Sequence, residues 1–369
     1  MGAPETRRIR VLVVDDSAAV RHLISQALRA QPDMEVAGCA DNGLAALERV
    51  AVDRPDVVLL DLEMPGMDGF EALRELKKRY VGLPVLVFSS YTAQGTTATV
   101  DALLAGADEY ATKPGSLEPG SIPWVTAQGE LALKLRAVTR RARRFEQSRV
   151  PDLQIEPVAV SVRGRVPVRA VAIGTSSGGP EALAALLPRF SPALRVPVFV
   201  VQHMPRSFTA ALAKRLNDKS KLRVVEATHG QIVEPGVVHL APGDYHMQVS
   251  SRAGKVSLLL DEGPLENGCR PSVDPLFRSA SDVYGTGLLA VVLTGIGTDG
   301  VEGARKVTAA GGHVWVQDER SSAVWGMPGA VTRAGLARHT YSLDAMAACI
   351  ESAIAEGLPV RYPAVERGY

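Results

Sequence analysis

The chain has 369 residues, 46% of them hydrophobic and 22% charged, which excludes a largely disordered protein and argues against one ordinary core at this length. A formal net charge of +1 supplies no global field for nucleic acid or an anionic membrane. Three scattered cysteines, Cys39, Cys269 and Cys349, form no metal-ligand or redox pattern and are assigned no role. Met1 to Arg10 lacks the apolar core of a signal peptide, and no stretch reaches the roughly 18 apolar residues of a membrane span. The densest apolar run, Leu288–Leu293, is strand-sized. The expectation is a cytoplasmic protein with no direct membrane insertion.

The first third alternates short apolar runs with helix-period segments. Arg10–Val14 reads as a strand ending in Asp15-Asp16, and Ser17 can cap a helix with Val20, Leu23, Ile24, Ala27 and Leu28 on one face. Val36–Cys39 is a second strand and Gly43–Ala51 a second helix. Asp56–Leu60 is nearly all apolar, as a central parallel strand should be. Pro84–Phe88 and Ala107–Tyr110 follow, each after a helical pattern. Five such units predict a doubly wound parallel sheet. Leu131–Phe145 then reads as the last helix of this first domain, of increasingly basic character (Lys134, Arg136, Arg140, Arg141, Arg143, Arg144), running into a Pro- and Gly-bearing linker over Gln147–Pro167. The basic cluster has no interleaved aromatics and no helix-turn-helix pattern, so a solvated face is expected and no nucleic-acid partner.

A second α/β series begins near Val168. Strands are expected at Val168–Ile173, Val196–Val201, Val237–Leu240, Lys255–Leu260, Leu288–Thr294 and His313–Gln317. Helices are expected at Glu181–Leu187, Thr209–Leu216 and Leu343–Ala355. The fold class is therefore α/β, with two doubly wound parallel-sheet domains.

Ligands of such sheets bind at the carboxyl ends of the strands. Asp15 and Asp16 close the first strand, Asp61 the third and Ser89 the fourth, and Lys113 follows the fifth. Converging carboxylates repel one another and are stabilised by a hard cation such as Mg²⁺, which also neutralises phosphate oxygens during in-line transfer. A lysine and a hydroxyl opposite would bind the remaining oxygens. Singly, a strand-end aspartate is a helix cap and Lys113 a surface charge; jointly they point to a phosphate-accepting pocket.

Residues 8–130 resemble the receiver domain of two-component response regulators, in Val13–Ser17 (VVDDS), Asp61–Gly69 (DLEMPGMDG), Phe88–Ser90 (FSS) and the lysine-proline pair at Lys113. The resemblance implies a CheY-like (flavodoxin-like) fold with Asp61 as phosphoacceptor. It implies Mg²⁺ held by Asp16, Asp61 and the Glu63 backbone carbonyl, with Asp15 completing the acidic cluster. Ser89 and Lys113 become the phosphate-binding pair, and Tyr110 the aromatic rotamer reporter.

In the second half, Gly174-Thr-Ser-Ser-Gly-Gly-Pro180 lies between a strand and a helix and contains G-x-S-x-G. A serine there is either a cap or a nucleophile, and such turns also bind phosphates. His203 follows a second strand and Asp299 a third, in Thr294–Gly300. Nucleophile, base and orienting carboxylate then share one sheet edge, as Ser-His-Asp catalysis requires. The chain order Ser, His, Asp differs from the Ser, acid, His order of α/β-hydrolases.

Residues 168–358 resemble the catalytic domain of the chemotaxis methylesterase family, the CheB response regulators. The resemblance rests on GTSSGGPEAL, QHMP, APGDYHM, RPSVDPLF, LTGIGTDG and QDERSSAVWGMPGAV. With residues 131–167 as helix and linker, it covers nearly the whole chain in the family's domain order. It implies a Rossmann-like methylesterase domain that hydrolyses glutamyl γ-methyl esters on chemoreceptors, and deamidates glutamines, through Ser176, His203 and Asp299. The region of Ser177 and the backbone N–H of Ile296 map onto the oxyanion hole. The resemblance also implies a sensor histidine kinase of the CheA type as phosphodonor, no cofactor in the hydrolase site, and an unphosphorylated receiver that blocks substrate access.

Ile296 and Thr298 stand where the family usually has methionine and asparagine. His229, His239, His246 and His313 are expected to be structural, and Trp315 and Trp325 to lie in the core. Arg270 and Asp274 either position substrate or brace the fold. The competing classes are a binding-type response regulator without catalysis and a DNA-binding regulator.

Overall fold

The computed structural model describes residues 7–90, 92–113, 124–147 and 164–359. The chain divides into two compact units, Met1–Arg149 and Val150–Tyr369.

In the first unit, β1 (Ile9–Val14), β2 (Met34–Ala40), β3 (Val57–Asp61), β4 (Val85–Ser89) and β5 (Glu109–Thr112) make a parallel sheet in the order β2-β1-β3-β4-β5. Its helices are α1 (Ala18–Arg29), α2 (Gly43–Asp53), α3 (Gly69–Arg79), α4 (Ala93–Leu104) and α5 (Trp124–Gln147). Ser17, Asn42, Asp68 and Thr92 cap the first four by accepting from backbone N–H groups of the opening turn. β3 and β4 are buried at every residue, as strands covered on both faces must be.

The helix expected from Leu131 begins instead at Trp124. Leu131, Ala132, Leu135 and Val138 are buried in the first unit's core, so the basic stretch is one face of an amphipathic helix. Arg136 makes paired 2.8 Å bonds to Asp33, and Lys134 pairs with Glu130 at 2.6 Å and donates to the Tyr110 carbonyl. The side chains of Arg141, Arg143 and Arg144, and residues 148–163 of the expected linker, lie outside the described residues.

The second unit adds short β6 (Arg165–Val166), then β7 (Ala170–Thr175), α6 (Gly179–Leu186), β8 (Val198–Gln202), α7 (Arg206–Lys219), β9 (Arg223–Glu226) and β10 (Val237–Leu240). An excursion follows through β11 (His246–Arg252), β12 (Lys255–Asp261) and α8 (Val273–Tyr284). The unit closes with β13 (Leu288–Val292), α9 (Val301–Ala309), β14 (His313–Gln317), α10 (Met327–Arg333), β15 (His339–Tyr341), α11 (Leu343–Glu356) and β16 (Leu358–Pro359). Seven strands form a parallel sheet in the order β15-β14-β13-β7-β8-β10-β9. The chain leaves β7 for β8 on one side and later returns to β13 on the other, so the crevice at the carboxyl ends of β7 and β13 is the topological switch point.

Three expectations are corrected. Lys255–Leu260 does not extend the parallel series; it pairs antiparallel with β11, around a turn with Ala253 and Gly254 at positive φ. Along β12 only Leu258 is buried, the pattern of a strand with one covered side. Arg165–Val166, placed in the linker, pairs with β16. Trp315 is buried in β14, but Trp325 is only partly covered and donates its indole N–H to the Gln317 carbonyl.

α8 was not anticipated. Pro275 falls in its first turn, where the missing N–H has no helical partner to lose, and Val273, Leu276, Phe277 and Ala280 are buried in the core. Among the described residues no helix is long and apolar enough to cross a membrane.

Candidate active site and phosphoacceptor pocket

At the carboxyl edge of the first sheet, the carboxylates of Asp15, Asp16 and Asp61 offer oxygens within 4.8 Å of one another. Asp15 and Asp61 are buried and Asp16 is exposed. Lys113 Nζ lies 2.9 Å from Asp15 Oδ2 and 2.7 Å from Asp61 Oδ2. Burial pushes the Asp61 carboxyl up, against the opposing pull of Lys113. Burial also opposes the Lys113 charge, but its bonds to Asp61 and Asp15 outweigh this and raise its pKa. Hard oxygen donors gathered this closely suit a small divalent cation. The Glu63 N–H donates to Asp61 Oδ1. The Ser89 hydroxyl is turned away, towards the carbonyls of Ser90 and Gly95. Tyr110 is buried, with Lys134 Nζ 4.5 Å from its ring centroid.

In the second unit, β13, β7 and β8 are neighbours, and Asp299, Ser176 and His203 follow their respective carboxyl ends. Ser176 N–H donates to the Thr294 carbonyl, and His203 N–H to that of Thr175. The Gln202 side-chain amide bonds the carbonyls of both Ser176 and His203, tying the two loops together. Gly178 adopts φ +74, and a Cβ there would meet the Ala323 Cβ at 2.2 Å. A Cβ on Gly295 would meet the Ser176 Cβ at 2.8 Å. Glycine is required at both places for the serine turn to close.

His203 Nε2 lies 2.7 Å from Asp299 Oδ2, and His203 Nδ1 lies 3.5 Å from Cys269 Sγ. Among the described residues, no partner is bonded to the Ser176 hydroxyl or to the backbone N–H of Ser177 or Ile296. Asp299 is buried at the N-terminus of α8 and accepts from Ser272 Oγ, Val273 N, Asp274 N, Gly300 N and Asn267 Nδ2, besides His203. Burial opposes its charge, but the His203 bond and charge and these donors hold its carboxyl below the usual range. Burial likewise opposes the charge on His203. Its bonds to Asp299 and Cys269, with their charges, outweigh that and raise its pKa to about 9.

Arg270 donates to the carbonyls of Glu262 and Gly263 and so braces the loop after β12. Asp274 is buried, accepts from Gly303 N–H, and sits inside the same network as Asp299. His229, His246 and His313 each have a ring nitrogen beside a backbone carbonyl, and His239 stacks on Phe199. Cys269 and Asn267 were given no part by the sequence. The Asn267-Gly268 pair is a turn signal, but nothing in its spacing says which side chains it faces.

A family model described as CheB methylesterase matches residues 171–350, and one described as response regulator receiver domain matches residues 11–119. A protein-glutamate methylesterase/protein-glutamine glutaminase of Nocardioides sp. is 46% identical over 363 residues, covering 96% of this chain and 98% of the relative. One of the same name from Pyrococcus horikoshii is 41% identical over 350 residues, 94% of each chain. The crystal structure of the Thermotoga maritima CheB methylesterase catalytic domain is 39% identical and covers 50% of this chain and 98% of that one, with a TM-score of 0.49. The chain belongs to the CheB methylesterase family, with a response-regulator receiver domain ahead of the catalytic domain.

Proposed function

We propose that the protein is a phosphorylation-activated protein-glutamate methylesterase that removes γ-methyl esters from glutamyl residues of methyl-accepting chemoreceptors, and deamidates their glutamines, for sensory adaptation. The observation that carries this is the His203–Asp299 pair at 2.7 Å, on the loop next to Ser176. The receiver function is assigned to residues 8–130, with α5 as its continuation, and catalysis to residues 168–358.

Ser176 Oγ attacks the ester carbonyl and its proton passes to His203. Because Nε2 faces Asp299, the receiving nitrogen is Nδ1, which must leave Cys269 for the serine. The carbonyl oxygen becomes an oxyanion and is met by the N–H groups of Ser177 and Ile296, both without a partner among the described residues. His203 returns the proton to the leaving methoxide, and methanol departs. Water then attacks the acyl-serine by the same proton route and releases the glutamate; a glutamine leaves ammonia instead. Asp299 stays ionised throughout and holds the imidazole.

For control, Asp61 accepts the phosphoryl group from a CheA-type histidine kinase. Asp15, Asp16, Asp61 and the Glu63 backbone carbonyl would hold Mg²⁺, which neutralises charge on the transferring phosphate when bound. Lys113 clamps the phosphoryl oxygens, and Ser89 swings from the Gly95 carbonyl to meet them. A cytoplasmic location fits these partners.

The test is methanol release from methylated receptor membranes, with and without acetyl phosphate, using Ser176→Ala as blank. Release should rise with the phosphodonor and fall about 10⁶-fold in the blank, the loss typical of a deleted serine nucleophile. No release above the blank from folded, phosphorylated protein would leave a binding-type regulator instead.

A further inference from the structure

Between β12 and α8 the chain makes a tight reversal, Glu266-Asn267-Gly268-Cys269. Glu266 and Cys269 exchange backbone hydrogen bonds, and Asn267 and Gly268 have φ +53 and +74. Two positive φ values in succession are what a two-residue hairpin turn demands, and Asn-Gly is a favoured pair there. Arg278 of α8 pins the turn through Glu266 at 2.7 Å. Asp, Asn and Gly would all serve such a turn. The surroundings separate them.

The Asn267 amide nitrogen lies 2.8 Å from Asp274 Oδ2 and 2.9 Å from Asp299 Oδ1. Both carboxylates are almost wholly buried, at 3% and 2% exposure. Two buried carboxylates repel, and each needs donors to remain charged. An amide carries two N–H groups in one plane, enough to give one to each. An aspartate here would add a third carboxylate, and a glycine would leave Asp274 Oδ2 without this donor. A carboxylate is rigid, so anchoring Asp299 Oδ1 also fixes Oδ2, the oxygen that faces His203 Nε2.

We propose that Asn267 is a positioning residue for the esterase reaction, its amide bridging Asp274 and Asp299 so that Asp299 holds the His203 imidazole in line. The inference rests on the esterase reading given above. It acts through Asp299, so it governs turnover and not the capture of substrate. The charged groups facing the pair are His203, bonded to Asp299, and Arg278, whose charge acts on both carboxylates. Among them Arg278 favours the Asp274 anion, while burial and the Asp299 charge oppose it and raise Asp274 to about 6.

Asn267→Gly keeps the turn, relieves its backbone and removes only the amide; Asn267→Asp keeps the shape and reverses the hydrogen bonding. In the full-length protein, Asn267→Gly should lower kcat for methanol release about 10- to 100-fold with KM unchanged, the loss typical when the partner orienting a functional side chain is removed. Asn267→Asp should lower it further. A parent-like kcat in a folded Asn267→Gly protein overturns the proposal, because a residue kept only for its turn would lose nothing to glycine. Carbon-13 NMR titration of the carboxylates supplies the arm independent of turnover. The Asp274–Asp299 pair should take up its proton about one pH unit higher in Asn267→Gly. If the parent itself released no methanol above Ser176→Ala, the esterase reading would fail, and an unchanged titration would refute the bridge separately.

Discussion

His203 is the residue on which pH should act. In the proposed mechanism the neutral imidazole is the base, and a pKa raised to about 9 leaves the imidazolium dominant at neutral pH. kcat/KM should therefore climb with pH and level off only near that value. The Cys269 sulfur, 3.5 Å from Nδ1, contributes to the raised value. Cys269→Ala removes that contribution, so the rising limb should move to lower pH. Superimposable pH–rate profiles for parent and Cys269→Ala would show that the thiol has no hold on the ring. Ser176, His203 and Asp299 were legible as candidates because each follows an apolar run short enough to be a strand. Cys269 and Asn267 were not. They reach the site on a turn whose location is decided by the packing of α8.

At the scale of elements, α5 was expected from Leu131 as the last helix of the first unit, with a solvated basic face. The helix starts earlier, at Trp124, and its other face buries Leu131, Ala132, Leu135 and Val138. A fragment ending at residue 130 would strip these side chains from the core. Deleting a single buried leucine costs about 2–5 kcal/mol, and the whole stability of a domain is of order 5–15 kcal/mol. Residues 1–149 should thus unfold cooperatively on heating, while residues 1–130 should show no cooperative transition by circular dichroism. A sharp transition in the shorter fragment would mean that α5 is dispensable. β11 and β12 give the complementary case. An apolar run announced a strand correctly, but its antiparallel partner was set by a local turn.

For the whole molecule, the proposed control predicts a definite response to truncation. If the receiver restrains the esterase until Asp61 is phosphorylated, removing residues 1–149 should raise basal methanol release above that of the unphosphorylated parent and abolish the effect of acetyl phosphate. A truncated, folded protein no faster than the unphosphorylated parent would end the restraint model.

The amino-acid pattern by itself determined two α/β units, the acidic strand ends of the first and the glycine-rich serine turn of the second, because strand and helix periods and turn chemistry are local properties. Tertiary structure alone decided that β13 lies against β7 and β7 against β8, bringing Asp299 to a histidine 96 residues earlier in the chain. It also decided that α8 turns its N-terminus onto Asp299, and that an Asn-Gly turn supplies Asn267 and Cys269. Strand order and loop placement depend on which distant surfaces bury one another, and no local run of residues encodes that choice.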